Sequence, residues 1–162
     1  MTNSSETSLM RNKRILESWP TFFPSNTTAL TALYQPKTGL LIDHAFNIER
    51  SADVLDQHWA LWLHAIPDFT ATAIHVTPTE EGGWLQYRGK GNYQQDLAGI
   101  YKATNRTFEY EAVLRAWIDP VTGLIIRSEE FYTQTFGNSN SQAEYSSAQP
   151  IPPSKEEISK TL

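Results

Sequence analysis

The chain has 162 residues, with 13 Lys and Arg against 18 Asp and Glu for a net charge of -5, and no cysteine. That length is about one domain and long enough to bury a core. The missing cysteine excludes disulfides, thiolate metal sites and a cysteine nucleophile, and an acidic balance without a basic stripe argues against nucleic acid as a partner.

Residues 1–8 read as a polar lead-in, with none of the apolar run of a secretory signal. The glycosylation-type triplets at Asn3, Asn26 and Asn105 are therefore read as chance. No apolar run approaches the roughly 20 residues that span a bilayer, so a soluble cytoplasmic protein without a membrane partner is the default expectation. From Leu9 to about Phe23 the pattern is helical, with Ile15, Leu16, Trp19, Phe22 and Phe23 near one stripe; Pro20 should kink or end that helix. Ser25 or Asn26 is placed to cap a second helix, Thr27 to Tyr34. Pro36 to Gly39 reads as a turn and Leu40 to Ile48 as extended chain.

Ser51 is the expected cap of a third helix, running to about Ala65 and stopped by Pro67. It carries Leu55, Trp59, Trp62, Leu63 and Ile66 at helical spacing. From Phe69 the period changes to two. The expected strands are Thr70 to Val76, Trp84 to about Tyr93, Arg106 to Ile118 and Leu124 to Phe136. The last two are joined by Asp119-Pro120-Val121-Thr122-Gly123, a strong hairpin turn. The predicted organisation is one domain over 9–136, followed by a flexible polar tail over 137–162. Three helices and then a run of strands is an α+β layout. A curved sheet wrapped around the helices leaves a cone with one open end, and the five Trp, seven Tyr and seven Phe suit an aromatic core or an apolar pocket.

Several landmarks resemble one family. They are Leu33-Tyr34-Gln35-Pro36, where relatives have Leu-Tyr-x-Pro-Asp; Ile66-Pro67-Asp68 at the end of the third helix; Gly99 ahead of Lys102-Ala103-Thr104-Asn105-Arg106; and Gly123-Leu124-Ile125 opening the last strand. In this order they resemble the SnoaL-like polyketide cyclases and ketosteroid isomerases of the nuclear transport factor 2-like superfamily. Asp43-His44-Ala45-Phe46 with His58, Trp62 and Pro67-Asp68-Phe69 looks most like fungal members that tailor natural products. The resemblance implies a cone-shaped α+β fold with a curved mixed or antiparallel sheet (the cystatin-like layout), a homodimer, no metal or organic cofactor, a hydrophobic small-molecule substrate and proton-transfer chemistry.

Asp43 matches the catalytic Asp of the ketosteroid isomerases and is the candidate general base. A buried carboxylate in apolar surroundings has its pKa raised toward the working range. The competing role for Asp43 is to cap a turn or pair with Arg50. Glu130 is the second catalytic candidate, but its orientation is in conflict. A plain hairpin pairing Asp119 with Leu124 sets Val113 opposite Glu130 and Glu111 opposite Tyr132. In that register the apolar face of Phe108, Tyr110, Ala112, Leu114 and Ala116 shares its side with Arg127 and Glu129. Matching Gly123-Leu124-Ile125 to the ketosteroid isomerases instead puts Ser128, Glu130 and Tyr132 inside; a bulge would change the answer. The expectation adopted is Glu130 inside.

Tyr110 and Tyr132 are candidate donors to a substrate carbonyl, and Trp59 and Trp62 candidate pocket walls. His58 is a candidate acid or partner for Asp43, against a core histidine with satisfied bonds. His44 should point away from Asp43 on an extended strand. No histidine pair has metal-ligand spacing. The oxyanion donors of the ketosteroid isomerases fall near Ser18 or Trp19 and near Val113 or Arg115, so a steroid isomerase is not indicated. The leading expectation is an isomerase, cyclase or dehydratase acting on a polycyclic or polyketide-like intermediate. An epoxide hydrolase of the limonene type would need an Asp-Arg-Asp set drawing on Arg115 or Arg127, and a non-catalytic binding or dimerisation module would use the same cone. The deciding observation is whether both carboxylates meet in one aromatic cavity or whether Trp59 and Trp62 fill it.

Overall fold

The computed structural model describes residues 6–97, 103 and 107–135, with the side chains of 133–135 left aside. Gly99, most of the 102–106 landmark and the tail expected over 137–162 lie outside these residues.

Thr7 starts the first helix by accepting a hydrogen bond from the Met10 amide at 3.3 Å, and α1 runs Ser8–Ser18. Proline cannot donate to the helix and clashes with the preceding turn, so Pro20 converts the continuation into a 3-10 turn, Trp19–Phe22. Asn26, rather than Ser25, caps α2 by accepting from the Ala29 amide. That helix is short, Thr27–Thr31, and ends before the Tyr34 boundary expected from the sequence.

The segment expected to be extended over Leu40 to Ile48 is a hairpin of β1, Leu40–Asp43, and β2, Ile48–Ser51. The Asp43 side chain makes the turn by accepting from the Ala45 and Phe46 amides, and Asn47 takes the left-handed conformation with φ of 55°. Ser51 does not cap the third helix. Its hydroxyl bonds Asp53, a 3-10 turn Ala52–Val54 intervenes, and α3 then runs Leu55–Ala65. The remaining strands are β3, Thr70–Thr79, β4, Gly82–Asn92, β5, Thr107–Ile118, and β6, Ile125–Thr135.

The six strands form one mixed sheet in the order β2-β1-β6-β5-β4-β3. Every junction is antiparallel except β1 with β6, which is parallel. The open-edged sheet curls over the helices to give the α+β cone. α1 lies across β3 and β4 and drives Ile15, Leu16 and Trp19 into a core with Leu85, Tyr87 and Leu114. Trp19 is the centre of that core, 5.5 Å from Phe23, 6.2 Å from Trp59 and 5.4 Å from Tyr87 between ring centroids. Such pairs contribute about 0.5–1.5 kcal/mol each beyond their burial. Among the described residues no helix is long and apolar enough to cross a membrane.

The conflict over β6 is resolved by one residue. Ile118 pairs with Ile125, but Trp117 already pairs with Arg127, so Ile126 is an extra residue in β6. The bulge advances the register by one, giving Leu114 opposite Glu130 and Ala112 opposite Tyr132. The plain-hairpin register is therefore corrected: the apolar face of β5 and the Ser128, Glu130 and Tyr132 face of β6 lie on the same concave side. Ile126 itself is turned out to solvent.

A buried polar chain ties the helical layer to the sheet. Trp19 Nε1 donates to the Tyr34 hydroxyl at 3.2 Å, which shares a 2.9 Å hydrogen bond with Ser128 Oγ. Tyr34→Phe would strand two buried polar groups at a cost of about 1–3 kcal/mol. Urea unfolding should show that loss as a lower midpoint with unchanged slope, whereas an unchanged midpoint would mean the chain contributes nothing.

Candidate active site

The parallel pairing of β1 with β6 sets Asp43 in register with Glu130. Adjacent strands lie about 4.8 Å apart, so the two carboxyl side chains stand side by side on the concave face. Both are buried, at 4% exposure for Asp43 and 6% for Glu130.

Their surroundings differ. Asp43 Oδ1 accepts from the Ala45 amide at 2.8 Å and the Phe46 amide at 3.1 Å, and Oδ2 accepts from the Tyr132 hydroxyl at 3.0 Å. Among the described residues none donates a hydrogen bond to the Glu130 carboxyl, and no Arg or Lys pairs with either group. Burial is the main effect on Asp43 and pushes it up to about 6, against the pull of its three donors. Burial also raises Glu130 well above the usual carboxylate range, and the neighbouring Asp43 charge raises it further. Hydrogen bonds to the ionised form favour it, so the pair holds its single charge on Asp43 and its proton on Glu130. Asp43 thus caps the turn and also faces the cavity. It does not pair with Arg50.

The cavity has aromatic walls. Trp59 and Trp62 come from α3, Phe23 from the end of the 3-10 turn, Phe69 from the start of β3, and Tyr110 and Tyr132 from β5 and β6. Trp59 belongs to both wall and core; it does not fill the space. Tyr110 lies 4.7 Å from Tyr132 between centroids, and its ring fits because position 89 is glycine: a Cβ there would sit 2.8 Å from the Tyr110 hydroxyl. That hydroxyl therefore lies over the β4 backbone, and burial, with a further contribution from the Asp43 charge, pushes its pKa up. The enclosed space is about 550 Å³ with its open mouth included, and its aromatic lining suits a flat, apolar ligand.

His58 also lines the cavity but makes no hydrogen bond to Asp43. Burial, with a smaller contribution from the Arg50 charge, pushes it down to about 3, which keeps it neutral at ordinary pH. It is not the satisfied core histidine expected as the alternative, since its Nδ1 is buried without a partner. His44 points the other way, bonding Glu129 at 3.2 Å and stacking on Phe131. Phe23, Phe69, Tyr87 and Phe108 also line the cavity and were not singled out from the sequence. The alternation of Phe108 with Tyr110 signalled one of them, whereas Phe23 reaches the site only through the tertiary fold.

The positions matched to oxyanion donors lie elsewhere. Trp19 donates to Tyr34, Ser18 bonds the Ile15 carbonyl, and Val113 and Arg115 face outward. Arg115 lies over Trp84 and Trp117, and Arg127 over Trp117. Neither of these two arginines, the ones considered for an Asp-Arg-Asp set, stands beside the carboxyl pair. Among the described residues no group of three His, Cys, Asp or Glu is placed to hold a metal ion.

No protein-family model matches the chain, and no curated protein is detectably similar in sequence. Solved structures are similar in fold. A phenazine biosynthesis-related protein from Pseudomonas aeruginosa is 18% identical, with 90% of this chain and 89% of that one covered at a TM-score of 0.67. A candidate SnoaL-like polyketide cyclase from Jannaschia is 13% identical, covering 82% and 90% at 0.65. A protein with a ketosteroid isomerase-like fold from Catenulispora acidiphila is 16% identical, covering 74% and 85% at 0.56. At these identities the likeness is one of fold: the chain has the SnoaL-like, nuclear transport factor 2-like α+β architecture.

The raised carboxyls make stability depend on pH with a definite sign. A carboxyl with a raised folded pKa binds more protons folded than unfolded, so its burial is tolerated below the unfolded pKa near 4 and becomes costly as pH rises through the folded value. Asp43→Asn and Glu130→Gln are expected to stabilise the fold by on the order of 1–3 kcal/mol at pH 8. That advantage should vanish near pH 4. Urea unfolding at the two pH values checks this, and a constant difference would show that folding shifts neither pKa.

Proposed function

We propose that this protein is a cofactor-independent isomerase or cyclase acting on a polyketide-like intermediate by general acid–base catalysis, and that it is a cytoplasmic enzyme of the fungal natural-product-tailoring kind. The observation that carries the reading is the buried Asp43–Glu130 pair, with one charge and one proton, facing an aromatic cavity without a counter-cation.

Asp43 takes a proton from carbon next to a substrate carbonyl while Glu130 gives its proton to the carbonyl oxygen, leaving a neutral enol. In an isomerisation, protonated Asp43 returns its proton to a different carbon as the enol hydroxyl returns one to Glu130. In a cyclisation, the enol carbon attacks a second carbonyl carbon, whose oxygen takes the proton from Asp43, and Glu130 recovers its proton from the enol. Either way both carboxyls finish as they began, and the balance needs no metal or organic cofactor. Tyr132 holds Oδ2 of Asp43 and orients the base, a role in place of direct donation to substrate. Trp59 and Trp62 exclude water and hold the reactive conformer.

A flat bicyclic probe, 5-nitrobenzisoxazole, tests the base directly: abstraction of its C–H proton breaks the N–O bond and releases a coloured nitrophenolate. The wild type is expected to accelerate that opening, with kcat/KM rising through about pH 6 as Asp43 ionises. Asp43→Asn should lose about 10²-fold or more in turnover while still binding the probe. Equal rates for both proteins would remove the enzyme reading and leave a binding module.

We also propose a homodimer, as the resemblance implies, formed on the outer face of the sheet. Trp84, Val113, Ile126 and Phe131 are exposed there at 38–44%, an apolar grouping of a kind that marks interaction surfaces. Light scattering at micromolar concentration should give twice the chain mass for the wild type and the single mass for Val113→Lys with Phe131→Glu. A wild-type monomer would discard the dimer.

A further inference from the structure

His58 lines a second recess as well, between β2 and the start of α3, together with Arg50, Val54 and Gln57. Its space is about 510 Å³ with the open mouth included. Two of its four lining residues carry a buried polar atom with nothing to bond: Arg50 Nη2 and His58 Nδ1. The other arm of the guanidinium is occupied, since Arg50 Nη1 donates to the Glu49 carbonyl at 2.8 Å.

No described carboxylate pairs with Arg50. Arg88 and Arg127, by contrast, are held by Glu111 and Glu129. A buried guanidinium N–H without an acceptor costs free energy, and neutral His58 supplies no countercharge. What the recess lacks is an anionic oxygen acceptor. One carboxylate oxygen would take the Nη2 hydrogen, and the second would favour the imidazole tautomer with its proton on Nδ1. Because His58 belongs to both walls, such an anion would stand next to the aromatic cavity.

We propose that this recess is a second subsite that binds a carboxylate carried by the ligand whose apolar body occupies the aromatic cavity. The substrate class is thereby narrowed to flat, apolar carboxylic acids, an inference that rests on the aromatic cavity being the ligand site. The carboxylate sits on the Arg50 side of His58, so it anchors the substrate without opposing the charge on Asp43. Arg50 is a specificity residue and takes no part in proton transfer.

Calorimetric titration with 2-naphthoate and its neutral counterpart 2-naphthylmethanol tests this at fixed ionic strength, without relying on turnover. The wild type is expected to bind the acid at least 10-fold more tightly than the alcohol. Arg50→Met should abolish that preference with the alcohol affinity unchanged, and Arg50→Lys should retain part of it. The nitrogen resonance of His58 Nδ1 should shift on adding naphthoate and stay in place on adding the alcohol. Circular dichroism confirms that the variants fold. Equal binding of acid and alcohol by the wild type, or a preference that survives in Arg50→Met, overturns the subsite while leaving the aromatic cavity intact as a ligand site. Failure of both compounds to bind overturns the cavity reading and the subsite with it.

Discussion

Everything at the site depends on a parallel pairing between a four-residue strand and the last strand of the sheet. β1 lies beside β6 in register, and that contact alone sets Asp43 next to Glu130. Side chains of adjacent strands at the same register share a face, so the two acids cannot avoid each other once the sheet has formed. Burial between aromatic walls then makes a second negative charge costly. The pair resolves this by unequal hydrogen bonding. Two turn amides and a phenol hold Asp43 as the anion, and Glu130, with no donor, keeps its proton.

Asp43 is also a folding element. The amides that stabilise its charge are those of the turn it builds between β1 and β2, so the carboxylate is positioned by backbone. This coupling of turn chemistry with site chemistry means the same three hydrogen bonds set both the direction and the basicity of the group.

The wall opposite the acids is built by the helical layer. Trp19 packs against Trp59 and Phe23, and Phe23 in turn meets Phe69 edge-on at 5.2 Å. The cavity lining is thus continuous with the core. Nothing in that wall offers a positive charge. Among the described residues Arg50, which has no carboxylate partner, sits beside His58, and burial with a smaller contribution from that charge holds the imidazole down.

The sequence by itself determined the element order, the strand periodicity, the candidate acids and four of the eight aromatic walls, Trp59, Trp62, Tyr110 and Tyr132. Helical spacing, the Asp119–Gly123 turn and Pro20 act within a few residues, and local chemistry of that kind is legible in one dimension. Even so, the pattern of Leu40 to Ile48 reads as extended throughout, because the turn depends on the Asp43 side chain reaching the Ala45 and Phe46 amides. Only the tertiary structure decided which face of β6 meets the core. A period of two means that one added residue reverses every side chain, and the Ile126 bulge carries no signature within its own strand; it is selected because it lets Glu130 and Tyr132 join the apolar face of β5. The same holds for the Asp43–Glu130 contact, the neutral His58 and the unpaired Arg50. Each is a matter of burial and of neighbours distant in the chain, and desolvation acts on a group only after the fold has closed around it.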